Sequence, residues 1–469
     1  MSPHTTPLRR RDFLGSVVRG TAATGLAWAA PHVWAAESPA PLRAGEGVVD
    51  ITPPLGIEMG GFHRRPGNER RIRAIRQPTA VRALVLEMGD VQVALCSLDV
   101  AAVGHEMAAR IQQQAAAATG IAAQNVRLCA THTHSMPAFC FLRQWGAIPT
   151  EYMGVVERKT VEAVRLAKAD LAPAELSLGK TRVVGGNHNR TTKNFKKDDL
   201  FNKDSTDAER WLDTTLQALV FERPGAKRSL LWYHFSAHAV CYADEQAGPD
   251  WPGEVAQLVA KSEKLSPSFL QGHCGDVNPG DGGNWRGEIH QTVKAIYPAL
   301  QQALAKTARV KVRRLASRTL RFDLPVDVAL QKSWLAQYEK DPAKCSGGPW
   351  VDAGFAQEWF RDNSRRPLDP RLPISLSAVQ LGDVALVFHP AELYSYYGLA
   401  VRRESPLPDT LVVGYTDGIL GYLPDPKAFQ AGEYAAITVP KILDVGPFTP
   451  TAARETTAAA VGLLKQTVG

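Results

Sequence analysis

Three pairs of apolar runs, each split by a short turn, dominate the pattern of hydrophobic and polar positions. Residues 81–87 and 91–100 flank Gly89-Asp90, 216–222 and 229–236 flank Pro224-Gly225, and 376–380 and 384–389 flank Gly382-Asp383. Runs of this length, rich in Val, Leu and aromatic residues and joined by Gly-containing turns, read as β-hairpins. The outgoing strands end in Ser97-Leu98-Asp99, Ser236-Ala237-His238 and His389-Pro390-Ala391-Glu392. Polar residues delivered at the same point of three hairpins predict a pseudo-repeated architecture with functional residues at strand ends.

Helical patterning marks 105–119, 151–170, 253–264, 285–308, 329–340, 353–364, 393–403 and 451–467. Further strands are expected at 45–52, 174–184, 266–272, 309–324 and 410–415. The helices do not alternate regularly with single strands. The expected fold is therefore α/β, with mixed β-sheets, several hairpins and flanking helices, rather than a doubly wound parallel sheet or a TIM barrel. No Gly-rich phosphate loop follows a strand, so nucleotide chemistry has no support.

The apolar run 126–130 leads into Thr131-His132-Thr133-His134-Ser135. Residues two apart on a strand share a face, so His132 and His134 are expected to project together while Thr131 and Thr133 face the other way. Two neutral imidazoles on one face suit a borderline metal such as zinc, or one of them can act on substrate beside it. Two core histidines satisfied by backbone carbonyls are the alternative. His238 follows a strand and precedes a loop rich in Asp, Gly and Pro; His234, among aromatics, reads as core. Glu392 either caps the helix that follows it or joins two imidazoles in a three-ligand zinc set.

The first 35 residues change the picture of the whole. Arg9-Arg10-Arg11-Asp12-Phe13-Leu14 is a twin-arginine pattern, followed by a weakly apolar Gly/Ala-rich stretch and Val33-Trp34-Ala35 as a cleavage site. Residues 1–35 are expected to be a signal peptide, and the mature protein to be periplasmic or secreted. Arg19 and Pro31 leave too few apolar residues for a membrane anchor, and no integral membrane segment is expected in the mature chain, though transient contact with a membrane surface is compatible. Without the leader the formal charge falls from +7 to +4, since four arginines and one aspartate go with it. No basic run is interleaved with aromatics, so nucleic acid is not an expected partner. Of the six cysteines, Cys96, Cys129 and Cys274 sit in apolar runs and read as core, while Cys140, Cys241 and Cys345 could form a disulfide in an oxidising compartment. No CxxC occurs, so a cysteine-built zinc site is not expected.

Several motifs run in order along the chain: Gly47-Val48-Val49-Asp50-Ile51-Thr52, Ser97-Leu98-Asp99, Ala130-Thr131-His132-Thr133-His134-Ser135 and Asn187-His188-Asn189-Arg190. They continue with the His238 region, Gly275-Asp276-Val277-Asn278-Pro279, Pro390-Ala391-Glu392, and Gly421-Tyr422-Leu423 followed by Tyr434. On these the chain resembles the catalytic domain of neutral/alkaline ceramidases, zinc-dependent amidases that hydrolyse the N-acyl bond of ceramide. The resemblance spans 42–469 and implies one Zn²⁺ per chain, held by His132, His238, Glu392 and Tyr422. It also implies that His134, Arg190 and Tyr434 surround the scissile amide. Zinc acidifies a water and polarises the carbonyl it faces; His134 and Tyr434 suit hydrogen bonding to the oxyanion or proton delivery to the leaving amine. Arg190 suits a polar head group or carboxylate.

Three departures bear on the substrate. The family's Gly-Asp-x-Ser-Pro serine is Asn278 here, which can still donate to a carbonyl or oxyanion. The glycine-rich run after the paired histidines is replaced by Met136-Pro137-Ala138-Phe139. After the helix 451–467 no additional C-terminal β-sandwich domain, as larger members have, is expected. The expectation is an exported zinc amidohydrolase acting on a small-molecule or lipid amide, ceramide or a ceramide-like lipid. An amidase or esterase on another small substrate, or a non-catalytic metal-binding protein, are the alternatives.

Overall fold

The structure, a computed structural model, describes residues 33–37, 40–191, 211–225, 227–341 and 345–468. The twin-arginine stretch lies outside the described residues, as does most of the Thr/Lys-rich segment after Arg190. Among the described residues, three five-stranded sheets carry the fold. The first is built from Arg43–Asp50, Ala80–Met88, Val91–Leu98 and Val126–Ala130. The second uses Glu175–Arg182, Thr215–Glu222, Leu230–Phe235 and Pro267–Gln271, and the third Arg314–Pro325, Arg371–Leu381, Val384–Phe388 and Asp409–Val413.

Each sheet repeats one plan. The first three strands run antiparallel, and the fourth joins the third in parallel after a helical crossover. The crossovers contain His105–Thr119, Trp251–Glu263 and Ser395–Glu404. A fifth, antiparallel edge strand pairs with the first strand each time: Ala172–Pro173, Ala308–Val310 and Val33–Glu37. The predicted pseudo-repeat and mixed α/β class are therefore both present. The hairpin turns follow their chemistry, with Gly89 at φ 55° and Gly382 at φ 60°, the left-handed backbone that two-residue turns need.

Alternation along the strands explains the packing. In Ala80–Met88, Leu84 and Leu86 enter a cluster shared by all three sheets, while Ala83 and Val85 face helices His105–Thr119 and Thr150–Ala169. Leu219, Phe221 and Trp232 of the second sheet and Leu386, Phe388 and Leu411 of the third fill the same central cluster. Strands apolar on both faces appear as near-continuous hydrophobic runs, as the hairpins do. The helices approach closely: a Cβ on Gly47 would lie 2.1 Å from the Ala163 carbonyl, and one on Gly179 2.1 Å from that of Ala303.

Some boundaries differ from the sequence expectation. The predicted strand 309–324 is two strands in two sheets, Ala308–Val310 and Arg314–Pro325. The helix expected from 285 begins at Ile289, after a loop whose Gly280, Gly282 and Gly287 have positive φ, and Glu288 caps it by accepting from Gln291 N at 2.7 Å. Glu392 does not cap the following helix. It forms a short parallel bridge to Tyr422, and the buried Asp276 carboxylate accepts from Ser395 N at 2.7 Å instead. All six cysteines are free, so the disulfide considered among Cys140, Cys241 and Cys345 is not formed; the three belong to different apolar clusters. No described helix is long and apolar enough to cross a membrane.

Candidate metal centre

The loops that follow the third and fourth strands of each sheet converge. The first sheet contributes His132 and His134, the second His238 and Asn278, and the third Glu392, Tyr415 and Tyr422. His132 does not continue the strand, which ends at Ala130, because its φ is 59°. The predicted shared face therefore arises differently. The left-handed turn at His132, with His134 N held 2.9 Å from the Ala239 carbonyl, brings the two Nε2 atoms to 3.1 Å.

The hydrogen bonds of His132 and His238 set their tautomers. His132 Nδ1 lies 2.7 Å from the Ala101 carbonyl, and His238 Nδ1 lies 2.9 Å from that of Val277. A carbonyl only accepts, so each Nδ1 carries the proton and each Nε2 presents a lone pair. Those lone pairs face Glu392 Oε2, at 3.6 Å from His132 and 3.3 Å from His238. Burial holds the His132 imidazole down to about 4 and that of His238 well below its ordinary value, so both are neutral at pH 7. Burial pushes the Glu392 carboxyl up, opposed by His132 and Arg190. Two Nε2 lone pairs and a carboxylate converging in a buried site favour a cation between them. The donor set of two Nε2 atoms and a carboxylate oxygen fits zinc.

His134 is bound differently. Ring nitrogens of His132, His134 and His238 all lie within 4.8 Å of one another, but His134 Nδ1 is buried without a partner among the described residues. Its ring meets Phe62 and Trp145 edge-on at 5.1 and 5.8 Å. Arg70 Nη1 donates to its carbonyl at 2.9 Å, and Gly61 leaves room for it, since a Cβ there would lie 2.5 Å from His134 Cβ.

Arg190 Nη2 donates to Tyr422 Oη at 2.7 Å and to the Gly275 carbonyl at 2.9 Å, and Nη1 to Asn278 Oδ1 at 3.1 Å. Asn278 Nδ2 donates to the Trp285 carbonyl. Both ends of the Asn278 amide are thus engaged. Asn187–Asn189 pairs antiparallel with Val277–Pro279, which places Arg190 beside this loop. Burial pushes the Tyr422 phenol well above its usual value, with Arg190 pulling the other way. Tyr434, half-buried at the start of a short helix, has its ring 6.2 Å from that of Tyr422. Its segment is anchored by Lys441, whose Nζ donates to the Gly347 carbonyl at 3.1 Å and lies over the Trp334 ring. All eight residues singled out in the sequence fall in this one region. Tyr415, Arg70 and Asp276 were missed as contributors; Tyr415 could have been found by treating the end of the third repeat's fourth strand like the other strand ends.

Residues 42–285 match the sequence profile "Neutral/alkaline non-lysosomal ceramidase, N-terminal". The chain belongs to the neutral/alkaline non-lysosomal ceramidase family. The match includes His132, His134, Arg190, His238 and Asn278; Glu392, Tyr422 and Tyr434 lie beyond it. Neutral ceramidase from Pseudomonas aeruginosa shares the fold, with a TM-score of 0.68 at 17% identity over 92% of this chain and 75% of that one. A second solved structure, a ceramidase complexed with C2, has a TM-score of 0.67 at 17% identity over 91% and 75%. No curated protein matches the chain. In this ceramidase-family chain the third sheet, which carries Glu392 and Tyr422, lies outside the matched segment but repeats the plan of the two sheets inside it.

Proposed function

We propose that the chain is a zinc-dependent amidohydrolase that cleaves the N-acyl amide bond of ceramide or a ceramide-like lipid. The observation that carries this is the pair of Nε2 lone pairs at 3.3 and 3.6 Å from one Glu392 oxygen, in a member of the ceramidase family. His132, His238 and Glu392 would hold one zinc per chain, with Tyr422, bridged to Glu392 in the short strand pair, as the fourth ligand. Bound there, zinc supplies a Lewis acid for the amide carbonyl and acidifies a water.

The remaining residues do the rest. Among the described residues no carbonyl fixes a proton on His134 Nδ1, so His134 can take a proton and return it to the leaving amine. Tyr434 Oη is a donor suited to charge developing on the amide oxygen. Arg190 holds the Tyr422 oxygen, and Asn278 and the Gly275 carbonyl hold Arg190. Asn278 offers no nucleophilic oxygen, which favours direct attack by water over an acyl-enzyme. The Arg9-Arg10-Arg11 pattern supports export by a twin-arginine route to the periplasm or beyond.

The test combines elemental analysis with a substrate panel. About one zinc per chain is expected, with fatty acid released from ceramide or a related N-acyl amine. Protein that takes up no stoichiometric metal and hydrolyses none of a panel of ceramides, other N-acyl amines and esters would contradict the reading. Hydrolysis of esters alone would replace the amide assignment with the esterase one.

A further inference from the structure

Tyr415 follows the strand Asp409–Val413 and takes left-handed backbone, with φ 52°. A bulky aromatic holds that conformation only where its surroundings over-determine it. Here they do. Its ring lies on the His132 imidazole, with centroids 4.2 Å apart and planes 22° from parallel. Its carbonyl accepts from Ala130 N at 3.1 Å, tying it to the strand that leads into His132. Its hydroxyl sits 3.5 Å from Glu392 Oε2 and 3.2 Å from Cys274 Sγ.

Hydrogen counting gives the direction of these contacts. The phenol has one hydrogen, and a Glu392 carboxylate that holds a metal only accepts. The Tyr415 hydroxyl therefore donates to Glu392, and the Cys274 thiol donates to Tyr415 Oη. One buried side chain touches two residues of the proposed metal set from outside it, through its face and through its hydroxyl.

We propose that Tyr415, oriented by Cys274, is a positioning residue for this centre: it fixes the plane of His132 and the oxygen that Glu392 presents. The inference rests on the assignment of His132, His238 and Glu392 as zinc ligands. Removing an outer partner of this kind typically costs about 10- to 100-fold in metal affinity.

The experiment measures zinc dissociation constants by competition with a chromogenic chelator, with melting of the metal-free protein as the check on folding. Tyr415→Phe keeps the stacked ring and deletes only the hydroxyl; it should weaken zinc binding by about tenfold or more. Cys274→Ala should weaken it less, Cys274→Ser should restore it, and Tyr415→Phe with Cys274→Ala should be no worse than Tyr415→Phe alone, because the thiol acts through the hydroxyl. Unchanged zinc affinity in Tyr415→Phe, or additive losses in the double variant, would overturn the proposal. If Tyr415→Phe does not fold, the Cys274 pair decides: equal affinities for Ala and Ser overturn it. Wild-type protein without zinc affinity would instead overturn the metal assignment and this inference with it. Wild type that binds zinc while Tyr415→Phe binds equally well overturns the positioning role alone.

Discussion

Asn278 offers the sharpest discrimination between two roles. The side chain is 0% exposed; Oδ1 accepts from Arg190 Nη1 at 3.1 Å and Nδ2 donates to the Trp285 carbonyl. Asn278→Ala deletes a hydrogen bond to a charged donor, worth about 1.5–3 kcal/mol, and a neutral one worth about 0.5–1.5 kcal/mol. Trp285 is 59% exposed, so this end of the lost amide lies near the surface. Arg190, half-buried, loses one of the acceptors that aim it at Tyr422. Passed on in full, about 1.5–3 kcal/mol is a factor of about 10 to 150 in zinc affinity, an upper bound because Gly275 still holds Nη2. Asn278→Asp keeps an acceptor oxygen beside the guanidinium and should stay near wild type. An oxyanion donor predicts the reverse order: the alanine variant would lose about 10²–10³ in kcat, and the aspartate more, since it sets a negative charge against the developing oxyanion. Zinc dissociation constants and kcat for wild type, Asn278→Ala, Asn278→Asp and Asn278→Ser on one N-acyl amide separate these. Unchanged zinc affinity in all variants, with N278D the least active, would refute the bracing role, and a trapped acyl adduct would refute the water route.

His132→Ala and His238→Ala should lower metal content, while His134→Ala should keep metal and lose turnover; equal zinc loss in all three by elemental analysis would make His134 a ligand. Burial depresses His234 to about 4 and His389 to about 3, from an ordinary value of 6.5. The unfolded chain binds these protons first, so the stability they represent is fully present above about pH 6.5 and lost as pH falls toward the folded values. The melting temperature of metal-free protein should drop steadily from pH 6.5 to 4, and a flat profile would contradict it. Replacing Arg10 and Arg11 by lysine should block export and leave cytosolic folding intact, as fractionation would read; normal export of that variant would defeat the twin-arginine assignment.

Much was legible because it is local. Each hairpin announced itself by two apolar runs and a Gly-containing turn, and the strand-end residues Asp99, His238 and Glu392 marked the same point in three repeats. His132 and His134 were readable as a pair because they are two residues apart after a buried strand. The ligand set needed the family resemblance, since nothing in spacing ties Tyr422 to His132 across 290 positions.

Other features were decided only when the sheets came together. Residues 309–324 carry one continuous strand pattern, yet the segment serves two sheets because its halves find partners at 176–178 and 371–381. A strand's period reports alternation, not which sheet it joins. Asn278 looked free to face substrate, but a turn that returns Trp285 to it and a strand pairing that brings Arg190 across engage both ends of its amide. Tyr415 carried no motif, and its contact with His132 depends on two left-handed residues from different sheets meeting face to face. Backbone dihedrals set where a side chain points, and in these loops they are fixed by neighbours hundreds of residues away. Pattern along the chain thus determined which elements form and what they deliver to their ends. Only packing decided which atoms of those residues remain free to bind.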